Sequence, residues 1–558
     1  MPSTPTTKSQ VQAYRFVLRR MQSALVRKDS VMLHDPMRTH SRATIVGVCI
    51  AALGMLGFLI WGILSPKPTA PNEDGIVIGK PSGQVYVMIA QPEKKLIPVF
   101  DLASARLLLY ARQQADEEEG PGGADGPGGS GGNVQVVAPD VIDDNELRDI
   151  ARGRMAGIPG GPTLLPSADQ RVGPPWTVCD EAQLNPDAAE QNVDENNPEE
   201  KNAETTVMAG VDELGEQLGQ DESLLVRLDK NVPGQSAEEQ DAYLVYRTPG
   251  TANLPNTSAV RAKVDLTDGA VLDALDLDGV EPREISVGLL NAIPEKAELT
   301  APDVVGTVGQ PSDVDLGDPD LETVGSVFQV QRAGSASQFY VVHRDGIEPI
   351  KETTADLLRF TNSEGTEIKA VSPDVIPAAE KQERIDDSTF PERRTEVLEA
   401  QNFPVACLSW TTVGEGDNRE ERTAVYVGDK IPGDPKPVRI STPSADGVRI
   451  DWFYMPPGRG AVVRQATSEA DFDTGQITLV SDTGVKYGIP DAQTAAVLGL
   501  DNQLPAPRSI IQLLPDGASL SVEDVEQSFD SVDVEQGVYP SEGAQEQAQG
   551  GGGQSGGG

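Results

Sequence analysis

Hydropathy along the chain changes abruptly at one place. From Ala43 to Leu64 the sequence ATIVGVCIAALGMLGFLIWGIL runs for 22 positions without a charge. Coiled at about 1.5 Å per residue, it reaches about 33 Å, enough to cross a hydrocarbon core of about 30 Å. The run is longer than the apolar segment of a cleaved signal peptide. Pro66, Pro68 and Pro71 follow it, and no small-x-small cleavage site does. The pattern predicts one retained membrane-spanning helix, residues 43–64. Within it, Gly47 and Ala51 form a small-xxx-small pair that permits close helix packing.

Before the span the period is helical. The spacing predicts a helix from about Ser9 to Lys28, with Ser9 as its N-cap. Val11, Tyr14, Leu18, Met21 and Leu25 recur at intervals of three and four and make one apolar stripe, while Arg15, Arg19, Arg20 and Arg27 lie on other faces. Such a stripe predicts either a helix lying on an anionic inner leaflet or a docking face for a cytoplasmic partner helix. Its seam-like narrowness favours the partner.

After the span, strand-like and helix-like patterns alternate. Four segments share a short strand, a turn, a second strand and a short apolar helix: Gln84–Leu109, Ala242–Leu277, Ser337–Arg359 and Gln476–Leu500. Arg344-Asp345-Gly346 and Asp482-Thr483-Gly484 stand where hairpin turns are needed. A unit this small cannot bury its apolar face alone, so the four require a common body. The expected class is α+β: four strand-turn-strand-helix repeats around a central β-rich core. The expected organisation is an arm over 1–42, the span over 43–64, a linker over 65–83, the repeat-and-core domain over 84–539 and a flexible Gly-rich tail over 540–558. Glycine, acidic and polar bias predicts disordered insertions at about 112–132 and 180–221.

Charge gives the arrangement a direction. Residues 1–42 hold eight basic and two acidic residues, a formal +6, and the remainder of the chain, with 37 basic and 85 acidic residues, carries −48. The positive-inside bias predicts a cytoplasmic N-terminus and an extracytoplasmic bulk, hence a single-pass inner-membrane protein. The overall −42 opposes nucleic-acid binding and docking of the outer part on an anionic membrane surface. Of the three cysteines, Cys49 lies in the span and reads as a packing residue. Cys179 and Cys407 fall on the outer side, where thiols oxidise, so the expectation is one disulfide, with two buried thiols as the alternative.

Little points to catalysis. No GxxxxGK[ST], GxSxG or HExxH string occurs. Gly75-Ile-Val-Ile-Gly79-Lys80-Pro81 is one residue short of a phosphate loop and puts Pro where Ser or Thr would hold Mg²⁺. Two outer cysteines and one outer histidine, His343, lack metal-ligand spacing. Arg459, in Pro456-Pro-Gly-Arg-Gly460, is a candidate for presenting a cation to an anion, with a structural turn as the plainer reading. The residues imply no catalytic group, cofactor or metal.

Gln10-Val-Gln-Ala-Tyr14-Arg-Phe16-Val-Leu-Arg19-Arg20, Ala24-Leu-Val-Arg27 and Leu33-His34-Asp35-Pro36-Met-Arg38 resemble the start of EccB, a core membrane subunit of the actinobacterial type VII (ESX) secretion system. Gly157-Ile-Pro-Gly-Gly-Pro162 with Leu164-Leu-Pro166, Trp176-Thr-Val-Cys179-Asp180, Leu289-Leu-Asn291-Ala-Ile-Pro294, Gly458-Arg-Gly460-Ala-Val and Tyr487-Gly488-Ile-Pro490 extend the resemblance over nearly the whole chain. It implies an elongated outer domain of four repeats around a core, a disulfide that would fall on Cys179 and Cys407, and self-association of outer domains. It also implies assembly with the motor ATPase EccC and with EccD and EccE. Family members carry an ATPase label, which makes ATP a possible ligand. The expected function is a structural subunit of the secretion complex; the alternatives are an extracytoplasmic ATPase and a cell-envelope-binding module.

Overall fold

The computed structural model describes residues 7–28, 36–64, 70–118, 136–182, 203–228, 241–248, 258–331, 336–363, 365–378, 381–433, 436–441 and 450–529. The chain divides into two compact units, Met1–Ala70 and Pro71–Gly558.

The first unit is helical. Its first helix, Lys8–Arg27, is capped by Thr7 rather than Ser9, which lies inside the first turn. Thr7 has a glutamine three residues on, and its backbone N–H donates to the Gln10 side chain at 3.0 Å, as in a capping box. The second helix, Pro36–Leu64, begins before the apolar run, with proline at the position where a missing N–H costs nothing. Its window Ala43–Gly62 has mean hydropathy 2.4 and is unburied, so by length and composition it can cross a membrane.

In the second unit the chain takes one route four times. Three consecutive strands form an antiparallel meander, a helix follows, and the next strand returns parallel to the first. A final segment then pairs in parallel with the third. The first sheet runs Gly75–Lys80, Val85–Ile89, Lys95–Pro98, helix Leu102–Glu118, Asp140–Asp143 and Ala151–Arg152. The second runs Glu222–Leu228, Ala242–Arg247, Ala259–Val264, helix Gly269–Leu275, Arg283–Ile285 and Glu295–Lys296. The third runs Val327–Val330, Gln338–Val342, Ile347–Ile350, helix Glu352–Ser363 and Lys369–Val371, closed by a bridge from Lys381 to Ile347. The fourth runs Gly460–Ala466, Ile477–Ser481, Lys486–Ile489, helix Ala492–Val497 and Leu504–Pro507, closed by a bridge from Asp516 to Lys486.

Hydrophobic patterning alone recovers only the middle of this route. The returning strands are two to four residues long, too short to show a period. Gly75–Lys80, the first strand of the first sheet, falls in what the sequence presents as a 65–83 linker. The helix Leu102–Glu118 likewise runs into the expected 112–132 insertion, whose residues 119–132 lie outside the described residues.

Between these sheets lies a fifth, seven-stranded one, ordered in space Val438–Arg439, Trp452–Tyr454, Ala203–Ala209, Trp176–Ala182, Val405–Val413, Glu420–Gly428 and Glu216–Gln217. This corrects the expected disordered insertion over 180–221. Acidic composition describes residues 183–202, outside the described residues, but Ala203–Ala209 is a mostly buried strand of the central sheet. The sheet buries both faces. Trp176, Val178, Val207, Leu408 and Trp410 enter one core, and Cys179, Met208, Val405 and Cys407 another. Strands covered on both sides lose the alternation that marks a half-exposed strand.

Shared cores join the sheets. The larger core under the central sheet takes Leu224, Val226 and Val245 from the second sheet and Ala461, Val463 and Val480 from the fourth. Ile76 and Val87 of the first sheet pack with Val462, Leu479 and Ile489 of the fourth, so the beginning and end of the second unit meet. Leu357, on the helix of the third sheet, packs with Leu225, Leu244 and Val260 of the second. The expected tail, 540–558, lies outside the described residues.

Candidate functional site

Among the described residues no single catalytic centre stands out; the functional candidates are an exposed helix, a bonded core and a polar cleft. On Lys8–Arg27 the whole predicted stripe is exposed: Val11, Tyr14, Leu18, Met21 and Leu25 are between 41 and 80 % accessible. Five exposed apolar side chains on one face of a helix make a continuous apolar stripe.

The bonded core is the middle of the central sheet. Cys179 and Cys407 form a disulfide, closing a sequence separation of 228 residues. Cys49 is the free cysteine among the described residues. Beside the bridge, Asp180 points to the other face of its strand and is 2 % exposed. It accepts hydrogen bonds from the Ser286 N–H at 2.7 Å, Ser286 Oγ at 3.0 Å and Thr205 Oγ1 at 2.8 Å. Burial pushes its carboxyl up to about 6, against the opposing pull of those donors, and the Asp451 charge adds to the rise. Arg283, also buried, donates from Nη2 to the Phe403 carbonyl, while its Nε and Nη1 find no partner among the described residues. Sequence reasoning missed this cluster, because Asp180 opens the acidic stretch that reads as a disordered insertion.

The sequence candidates for anion chemistry are structural here. Gly75–Lys80 is a strand leading into a hairpin, not a loop opening a helix. Its turn is closed by Gly79 N–H to the Gln84 carbonyl and braced by Ser82 N–H and Oγ donating to Asp144. Those donors are committed, which leaves no phosphate cradle. Arg459 Nη1 donates to the Asp169 carbonyl at 2.5 Å, tying two turns together. His343 is buried, with Nε2 against Glu348 at 2.8 Å and Nδ1 accepting from the Val305 N–H. Among the described residues no group of acidic, His or Cys side chains forms a metal site.

A polar cleft of about 210 Å³ lies on the fourth sheet, lined by Gln465, Gln476, Thr478, Lys486, Gly488, Arg508, Gln512 and Asp516.

Comparison with known proteins follows the same lines. The family profile described as Type VII secretion system ESX-1, transport TM domain B matches residues 3–534. The chain is 30 % identical over 540 residues to the ESX-3 secretion system ATPase EccB3 of Mycolicibacterium smegmatis, covering 94 % of this chain and 91 % of that protein. It is 27 % identical over 519 residues to the ESX-1 secretion system ATPase EccB1 of Mycobacterium tuberculosis, covering 92 % and 93 %. In structure it is similar to a chain of the EccB3 dimer from the ESX-3 core complex, at 26 % identity and a TM-score of 0.61, covering 82 % of this chain and 100 % of that one. A chain of an intact ESX-5 inner membrane complex has the same fold, at 23 % identity and a TM-score of 0.61, covering 97 % and 99 %.

Proposed function

The chain belongs to the EccB family of type VII secretion components, and from that premise we propose that it is a structural subunit of an ESX-type inner-membrane complex supporting protein export. The helix Pro36–Leu64 anchors it once in the membrane, with residues 1–42 in the cytoplasm and the unit after residue 70 outside. The charge asymmetry across the apolar run supports that direction. The exposed stripe Val11, Tyr14, Leu18, Met21 and Leu25 docks on a cytoplasmic partner helix. The four sheets with one connectivity are copies of one unit, and with the central sheet they build a rigid outer body that associates with further copies. An EccC-type motor, EccD and EccE are the expected membrane partners.

One observation carries the reading: the profile match spans almost the whole chain, both helices and the strand-rich unit included. Similarity to a chain of an EccB3 dimer supports self-association. Native extraction with identification of co-purifying subunits tests it. The relatives' names favour a second reading, an ATPase. It requires Mg²⁺-dependent turnover by the purified chain alone, which separates it from turnover by a co-purifying motor.

A further inference from the structure

Two ionisable side chains are buried at the hairpin of the third sheet, His343 at 0 % and Glu348 at 2 % exposure. Each of their four polar atoms has a partner. His343 Nδ1 accepts the Val305 N–H at 3.1 Å, and its Nε2 lies 2.8 Å from Glu348 Oε2. Glu348 Oε1 accepts the N–H groups of Arg384 at 2.6 Å and Ile385 at 2.8 Å. The pair joins three pieces of chain: the hairpin, residues 303–310 before the sheet and residues 381–386 after it.

This pattern admits one protonation state. With Nδ1 an acceptor, the neutral ring carries its proton on Nε2 and donates it to an ionised Glu348. Imidazole is the more basic of the two groups, so the next proton goes to Nδ1. There it meets the Val305 N–H, donor against donor, and that bond is lost. The imidazolium keeps its bond to Glu348, and Glu348 keeps Arg384 and Ile385.

Little else holds the segment through Val305. Every residue from 305 to 310 is exposed. Apart from His343, the Val305 carbonyl accepts the Arg344 N–H at 2.7 Å, and Gly309 and Gln310 bond to the Val324 backbone at 3.0 and 2.9 Å. Segments with so few buried apolar contacts open first. The charged groups facing the pair are themselves paired. Arg384 meets Asp345 of the hairpin turn through two bonds of 3.0 Å, which hold the Asp345 carboxyl below its usual range. Arg344 of the same turn lies 3.7 Å from Asp313. His343 is the one histidine after the apolar span, and histidine is the side chain that ordinarily changes charge between about pH 5 and 8.

We propose that His343 and Glu348 form an acid-released latch on the third sheet. One proton at Nδ1 frees residues 303–310, while residues 381–386 stay bound.

Hydrogen–deuterium exchange of the detergent-purified full chain at about pH 8 and pH 5, corrected for the intrinsic effect of pH on exchange, tests this. Protection at Val305 and Arg344 falls about tenfold or more at the lower pH, the worth of one buried hydrogen bond, while Arg384 and Ile385 stay protected. His343→Gln keeps both bonds through an amide that takes up no proton, and holds the segment at either pH. His343→Leu frees it at both. A second measurement needs no variant: with the three histidines of the chain labelled with nitrogen-15, the buried ring shows the Nε2–H tautomer at the higher pH and gains a second ring proton where protection is lost. Equal protection at both pH values, equal loss at Arg384 and Ile385, an Nδ1–H tautomer at the higher pH, or a pH response retained by His343→Gln overturns the proposal.

Discussion

Cys179 and Cys407 face each other across neighbouring antiparallel strands at the middle of the seven-stranded sheet. Each is at most 1 % exposed, and the bond ties two distant parts of the chain within the smaller core, on the face of the central sheet opposite the core shared with the second and fourth sheets. In the chain-entropy treatment, closing so long a loop removes about 5 kcal/mol of unfolded-state freedom. Replacing both cysteines by alanine is expected to lower stability by about 3–5 kcal/mol, measured by denaturant unfolding. A mild reductant leaves the native bond intact and cleaves it once denaturant opens the sheet. A variant as stable as the parent contradicts this.

Asp180 predicts a pH dependence with a definite sign. Its folded carboxyl, held up to about 6, binds a proton more tightly than the unfolded one at 3.8. The stability that Asp180 contributes is therefore fully present below about pH 4, declines as pH rises from about 4 to 6, and is lost above. The contribution is on the order of 3 kcal/mol. Unfolding midpoints across that range should show the slope in the parent, and Asp180→Asn should flatten it. An unchanged slope assigns the dependence to other groups.

Leu18→Glu and Leu25→Glu place charge on the exposed stripe of Lys8–Arg27. Both should cost assembly with membrane partners while leaving the unfolding midpoint of the second unit unchanged. Retention of partners by both variants rules out the stripe as the docking face.

Trp176 is fully buried in the larger core under the central sheet. Trp176→Ala should destabilise the second unit by about 3–5 kcal/mol. Calorimetric unfolding checks it, and a loss below about 1 kcal/mol would place the residue outside the cooperative core.

What could be read from residues alone follows burial. The apolar helix and the stripe of Lys8–Arg27 were legible because each is a long helix with an uninterrupted pattern of apolar positions. The middle strands and helices of the four sheets were legible because turns such as Asp482-Thr483-Gly484, with Gly484 at φ +82, punctuate them. Strands of two to four residues, such as Ala151–Arg152, carry no period and are stabilised by the neighbour they pair with. Ala203–Ala209 was hidden by the acidic stretch before it.

The central claim is that this chain is a built-in part of a secretion complex. Extraction of the tagged protein from its own membranes in mild detergent, followed by native electrophoresis and mass spectrometry, tests it most directly. The account predicts a megadalton-scale particle containing a motor ATPase and a polytopic membrane subunit, with nucleotide turnover belonging to the motor. A lone monomer or dimer, or turnover by the isolated chain, would contradict it.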